Sequence, residues 1–252
     1  MGGKVDEMVY RKIQEAQGRS KMFALLIDPA KHNDRSLREA SAAAAEFKVD
    51  FIFIGGSLVS GNPDNDIEII RSIANLPVVI FPGSLLQISS RANAILLLSL
   101  ISGRNPEYLI GNHVIAAPVL KNSNLEVIPT GYILIENGAT SSVEYISNTK
   151  PIPAGKTDLV IATALAGEML GLKLIYLEGG SGSGHPMSAS LISKVRSQIR
   201  VPLIVGGGIH TQDDLHSVYE AGADLAVVGN ALENDLQSLK MLVEVRNRFG
   251  KE

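Results

Sequence analysis

Short apolar runs recur along this chain, separated by stretches of mixed polarity. Eight of them are Met22–Ile27, Phe51–Ile54, Val78–Phe81, Ala94–Leu98, Tyr132–Ile135, Lys173–Leu177, Leu203–Val205 and Leu225–Val228. Each is nearly all apolar rather than alternating. That is the pattern of strands covered on both faces, and hence of a parallel sheet. Between the runs lie stretches with helical spacing. Ser36–Phe47 carries the alanines 42–45, and Asp64–Ala74 places Ile67, Ile70 and Ile73 on one face. Asp158–Leu170, Ala189–Gln198 and Thr211–Ala221 follow, and Thr211 with Asp214 reads as a capping box. Ala231–Phe249 predicts a closing helix, and Lys4–Gln17 predicts an extra helix ahead of the first strand.

Eight buried strands alternating with helices predict an α/β fold, a modified (β/α)₈ TIM barrel over residues 1–252 as a single domain. A doubly wound open sheet is the alternative. The spacing is uneven. Residues 82–93, between the third and fourth strands, are too few for a long helix. Ser99–Gly131 and Asn137–Leu172 are long, and such segments are where active-site elaboration is expected.

Composition narrows the function. With 252 residues, 23 Lys+Arg against 26 Asp+Glu and a net charge of −3, the chain lacks the basic surface of a nucleic-acid binder. It has no cysteine, which excludes a disulfide framework, a thiolate metal site and a cysteine nucleophile. No apolar run approaches the roughly 20 residues of a membrane span, and the amino terminus carries no apolar signal segment. The expectation is a cytoplasmic protein.

In a barrel of this kind chemistry sits just beyond the carboxyl ends of the strands. Gly206-Gly207-Gly208 follows the seventh run and Gly229-Asn230 the eighth. Glycines there let backbone N–H groups approach an anion closely, the usual phosphate site of the fold. The sixth run ends in Tyr176-Leu177-Glu178-Gly179-Gly180-Ser181-Gly182. A glutamate among backbone donors can accept a proton or stabilise developing positive charge. Asp28, after the first run, is a candidate Mg²⁺ ligand, with the Ser57 hydroxyl one strand over. Asp before Pro is also a common turn. None of the five histidines stands at metal-ligand spacing.

Together these motifs resemble the geranylgeranylglyceryl phosphate synthase family. The resemblance rests on Tyr176–Gly182, Val205–Ile209, Gly229-Asn230, Asp28-Pro29 and Ile54–Ser57, with Phe81–Ser84 and Ile128–Tyr132 in support. Ser102-Gly-Arg-Asn-Pro106 resembles the second major group of that family. It implies a prenyltransferase joining sn-glycerol 1-phosphate to a polyprenyl diphosphate, typically geranylgeranyl diphosphate, in ether-lipid synthesis. Carried over by position, Asp28 and Ser57 hold Mg²⁺. Tyr176, Leu177, Glu178, Gly179, Gly180, Ser181, Gly182, Gly207, Gly208, Gly229 and Asn230 hold glycerol phosphate. Glu178 and Tyr176 are the catalytic pair, the first deprotonating the attacking hydroxyl or stabilising the allylic cation, the second positioning that hydroxyl. Leu96–Ile101 and Tyr108–Leu120 are candidates for lining the prenyl groove. The resemblance further implies a homo-oligomer, and product release implies transient membrane contact. Two departures stand out: Leu26 occupies a position where many members have lysine, and the chain has no tryptophan to plug the groove. The alternatives are a sugar-phosphate isomerase using Asp28 and Glu136 as an acid–base pair, and a non-catalytic phosphate-binding module.

Overall fold

The structure is a computed structural model, and it describes residues 8–56, 63–138, 140–180, 182–229 and 236–250. Eight strands close into a barrel in sequence order, every neighbouring pair parallel. They are β1 (Met22–Ile27), β2 (Phe51–Ile54), β3 (Val78–Ile80), β4 (Ala94–Leu100), β5 (Glu126–Leu134), β6 (Leu174–Glu178), β7 (Leu203–Gly206) and β8 (Leu225–Val228). Closure is made by β1 on β8, with Met22 opposite Leu225 and Leu25 opposite Val228.

The apolar runs lack alternation because both faces are covered. Met22, Ala24, Phe51, Phe53, Val79, Leu96, Leu174, Ile204 and Leu225 pack together inside the barrel. Phe23, Leu25, Ile52, Val78, Ile95, Ile175, Val205 and Ala226 face outward onto the helices. The additional first helix, α1 (Val9–Ala16), stops the lower mouth. Its Val9 and Ile13 join the inner cluster, and its Tyr10 N–H donates to the Glu126 carboxylate at the foot of β5 at 3.2 Å.

Outside lie α2 (Asp34–Glu46), α3 (Asp64–Ile73), α4 (Gly111–Lys121), α5 (Ser142–Ser147), α6 (Thr157–Met169), α7 (Ala189–Arg196), α8 (Gln212–Glu220) and α9 (Leu236–Arg248). Thr211 and Asp214 do form a reciprocal capping box at α8. Two ion pairs tie the outer layer to the strand feet. Arg246 of α9 bonds Asp50, just before β2. Arg196 of α7 bonds Asp224 at 2.9 Å, and the same carboxylate accepts the Leu203 N–H.

The structure extends the sequence-based expectation in two places. Strand β5 begins at Glu126, ahead of Tyr132, because Pro129 is accommodated opposite Leu97. Helix α4 forms although Gly111 opens it and Pro118 lies within it. The closing helix is seen over α9; residues 231–235 lie outside the described residues, as do 4–7 of the first helix.

Between β3 and β4 there is no full helix, only a single 3₁₀ turn at Leu85–Gln87. The outer face of β4 is therefore left open on that flank, and α4 returns along it at a distance. This departure from eightfold regularity gives the site its shape.

Candidate active site

Glu178 is the last residue of β6, and Tyr176 precedes it on the same inward face. Register places Tyr132 of β5 beside Tyr176, and Leu134 beside Glu178. Phe81, just past β3, stacks on Tyr176 with ring centres 5.3 Å apart and planes 11° apart. Tyr132 lies 5.9 Å from Phe81 and 5.3 Å from Tyr176. Such an aromatic trio is stiff and dry. It forms the floor beneath a carboxylate that is only 6% exposed.

The Glu178 side chain accepts the Gly180 N–H at 2.7 Å. Burial pushes its carboxyl above the ordinary value; the Gly180 N–H and the hydroxyls of Tyr176 and Tyr132 pull it part of the way back. The two phenols are themselves pushed up, by burial first and then by the charge of Glu178. They stay protonated and donate to the carboxylate. The site thus holds one buried, basic oxygen pair fixed by three donors.

Beside it stand the glycine loops. Gly207 and Gly208 both have positive φ, at 86° and 71°. A Cβ on Gly208 would lie 1.8 Å from the His185 carbonyl oxygen, so a side chain is excluded there on two counts. Asn137, beyond β5, donates through Nδ2 to Ser183 Oγ at 2.5 Å and to the His185 carbonyl at 2.7 Å. His210, beyond β7, bonds the Ser183 carbonyl through Nε2 at 2.9 Å. The β6–α7 loop is thereby held from both sides.

One cavity of about 220 Å³ joins these parts. Asp28, Tyr132, Tyr176, Glu178, Gly180, Gly182, Gly207, Gly208 and Gly229 line it. Its other limb is apolar and runs down the open flank between β4 and α4. Leu85, Ile88, Ile95, Leu97, Ala116 and Leu120 wall that limb. His113 of α4 also faces it, with its ring bonded to Ser99 Oγ at 3.0 Å; burial lowers its pKa, which favours the neutral imidazole.

Not every candidate lines the cavity. Leu177 points outward into the helix-facing core. Gly179 packs against Asn137, and its N–H donates to the Gly206 carbonyl at 3.0 Å. Ser57, Ser181 and Asn230 lie outside the described residues. Glu136 is exposed and accepts the Ala154 N–H, so it does not meet Asp28 in a common site. Phe81 and Tyr132 stood only in supporting motifs with no site role assigned, and Asn137 and His210 are site residues that the motifs did not mark.

For a divalent cation, no cluster of three His, Asp or Glu exists among the described residues. Asp28 offers a single carboxylate at the cavity edge, its Oδ1 accepting the Ala30 N–H at 3.1 Å. A Cβ on the neighbouring Gly56 would stand 2.5 Å from that oxygen, so a glycine keeps the carboxylate clear. One carboxylate suits Mg²⁺ that arrives on phosphate oxygens, since that ion needs only one or two protein ligands.

A closed parallel barrel with glycine loops after β7 and β8, a buried acid and an apolar side channel defines a barrel enzyme for a phosphorylated substrate and an apolar one. Comparisons with known proteins narrow this. The PcrB family model matches residues 13–246. The geranylgeranylglyceryl phosphate synthase of Chitinophaga pinensis is 49% identical over 225 residues, 89% of each chain. That of Spirosoma linguale is 48% identical over 232 residues, 92% of this chain and 93% of the relative. The crystal structure of the (S)-3-O-geranylgeranylglyceryl phosphate synthase of Thermoplasma acidophilum, in complex with its substrate sn-glycerol-1-phosphate, is 31% identical with a TM-score of 0.91, covering 96% of this chain and 99% of that one. The chain belongs to the PcrB family, alongside these geranylgeranylglyceryl phosphate synthases.

Proposed function

We propose that this protein joins sn-glycerol 1-phosphate to geranylgeranyl diphosphate or a similar polyprenyl diphosphate. The product is a 3-O-prenylglyceryl 1-phosphate, with diphosphate released. The observation that carries this reading is the position of Glu178. It stands where the glycine loops meet the apolar channel, inside a cavity that also contains Asp28.

The loops beyond β6, β7 and β8 bind the phosphate through backbone N–H groups and orient the glycerol. Tyr176 positions the free hydroxyl. Glu178 accepts its proton as the oxygen bonds to the allylic carbon and the carbon–oxygen bond to diphosphate breaks. Before that bond is complete, the same carboxylate stabilises positive charge on the allyl group. The ring faces of Phe81, Tyr132 and Tyr176 keep water from that carbon. The channel between β4 and α4 stores the prenyl tail, at up to about 0.8 kcal/mol per buried CH₂. Asp28, with the Ser57 hydroxyl that the sequence offers, would hold Mg²⁺, which would supply stabilisation of the charge on the leaving diphosphate.

Exposed Ile110, Val114, Ile115 and Val119 on and beside α4 favour self-association, which sedimentation velocity measures. No helix among the described residues is long and apolar enough to cross a membrane.

The test of the reaction is direct. Radiolabelled sn-glycerol 1-phosphate is incubated with prenyl diphosphates of several lengths, with Mg²⁺ or with EDTA. Label passing into the organic phase only with Mg²⁺ is the expected result. No transfer with any donor overturns the reading.

A further inference from the structure

The helix that walls the apolar channel has its polar side chains inward and its bulky apolar ones outward. In α4, Asn112 and His113 line the channel together with Ala116 and Leu120, while Val114, Ile115 and Val119 are exposed. The inner face of α4 borders a cavity, so within one copy of the chain the helix gains little packing from either side. On the facing strand, Ile95, Leu97 and Ser99 take alternate positions, and Ile95 and Leu97 belong to the outward layer. The 3.0 Å bond between His113 and Ser99 Oγ joins the carboxyl end of β4 to the first turn of α4. Among the described residues, His113 is the one α4 side chain that hydrogen-bonds a strand. That bond has a cost: Nδ1 of the same ring is buried with no hydrogen-bond partner among the described residues. An aliphatic side chain would wall an apolar channel without such an orphan. Filling space therefore does not account for the histidine.

We propose that His113 is a positioning residue for the prenyl donor: by bonding Ser99 it fixes the gap between β4 and α4, and with it the bore of the channel that takes the tail. The pair stands at the rim end of that gap. Ala116 and Leu120 follow one and two turns further along the helix and line the same cavity as Leu97 and Ile95. On the other flank stands only the turn at Leu85–Gln87, so no full helix packs there to hold the width. A tether of fixed length does so instead. With the bond in place, the tail enters a slot that is already formed, and less ordering is needed when it binds. Without the bond, α4 is free to settle onto β4 or swing away, and the tails that reach deepest lose most. The bond does not depend on the tautomer of the ring, because the Ser99 hydroxyl can donate or accept.

This inference rests on the proposed reaction, and its experiment separates the two. With sn-glycerol 1-phosphate and Mg²⁺ saturating, kcat/KM is measured for geranylgeranyl diphosphate and for geranyl diphosphate. The ratio of the two values is the readout, and a general loss of folded protein cancels in it. Ser99→Ala is expected to lower the ratio about tenfold, the order of one lost hydrogen bond. Ser99→Thr keeps the hydroxyl and is expected to behave as the wild type. His113→Leu fills the wall but cannot bond Ser99. It is expected to lower the ratio as far as Ser99→Ala does, and the double variant no further, because both changes remove the same contact. An unchanged ratio in either single variant, losses that multiply in the double variant, or a Ser99→Thr protein as impaired as Ser99→Ala overturns the inference alone. Absence of transfer from any prenyl diphosphate by the wild type overturns the proposed reaction and the inference with it.

Discussion

The Tyr176 hydroxyl fills the space that a side chain on Gly206 would need: a Cβ there would stand 2.1 Å from it. Tyr176 is 1% exposed and stacked on Phe81, so the ring has nowhere to retreat. Gly206→Ala is therefore expected to push the phenol off Glu178. Turnover should fall roughly tenfold or more, since mispositioning by about 1 Å already costs on the order of 100-fold in favourable cases. Steady-state rates set against the melting temperature check this; a fully active, folded alanine variant would contradict the contact.

Glu178→Gln keeps an acceptor for the Gly180 N–H but loses the basic oxygens. The rate constant for transfer should drop by about 100-fold or more. Affinity for sn-glycerol 1-phosphate should stay close to that of the wild type, because the proposed phosphate contacts come from the backbone loops. Single-turnover kinetics with calorimetry separates the two effects.

The pH profile follows from the same carboxyl. Its value is raised in the fold by burial and held back by three donors. The reaction needs the ionised form, so activity should fall on acidification at a pH above the ordinary carboxylate range. Stability takes the opposite sign. A carboxyl raised on folding stabilises the fold below its unfolded value, and that contribution is lost as pH rises through its folded value. Tyr132→Phe removes one donor, and its acid limb should move upward. A limb that stays in place would show that the Tyr132 hydroxyl does not set the ionisation of Glu178.

Ala116 is 2% exposed and faces the channel from α4. Ala116→Phe should shorten the longest prenyl donor accepted while leaving turnover of short donors within a few-fold. Mass spectra of products from a mixture of donor lengths read this directly.

Asp28→Ala should raise the Mg²⁺ concentration needed for half-maximal rate by about tenfold, an effect of the size expected for losing one charge-assisted contact. An unchanged metal titration would remove Asp28 from the cation site.

Much of this architecture was legible in the residues. Doubly covered strands are apolar on both faces, so each run announced itself, and the shortness of residues 82–93 foretold the missing helix. Helix α4 was not legible, because Gly111 and Pro118 interrupt the helical pattern. Pro129 concealed the early start of β5 in the same way, since proline removes a ladder donor. Glycines and Glu178 stood out because they follow strands directly. Tyr132 did not: its bond to Glu178 depends on the pairing of β5 with β6, which local sequence does not specify. His210 and Asn137 likewise gain meaning only when their loops are seen to converge on Ser183.

Under the proposed reaction, the single turn at Leu85–Gln87 would make tail storage and bond formation separable traits. Residues low on the exposed side of the barrel can change to admit longer or shorter chains without disturbing the rim where the ether bond is made. A lineage using that reaction would then be able to alter the lipid it makes by changing a few positions far from the chemistry, and keep its reaction centre unchanged.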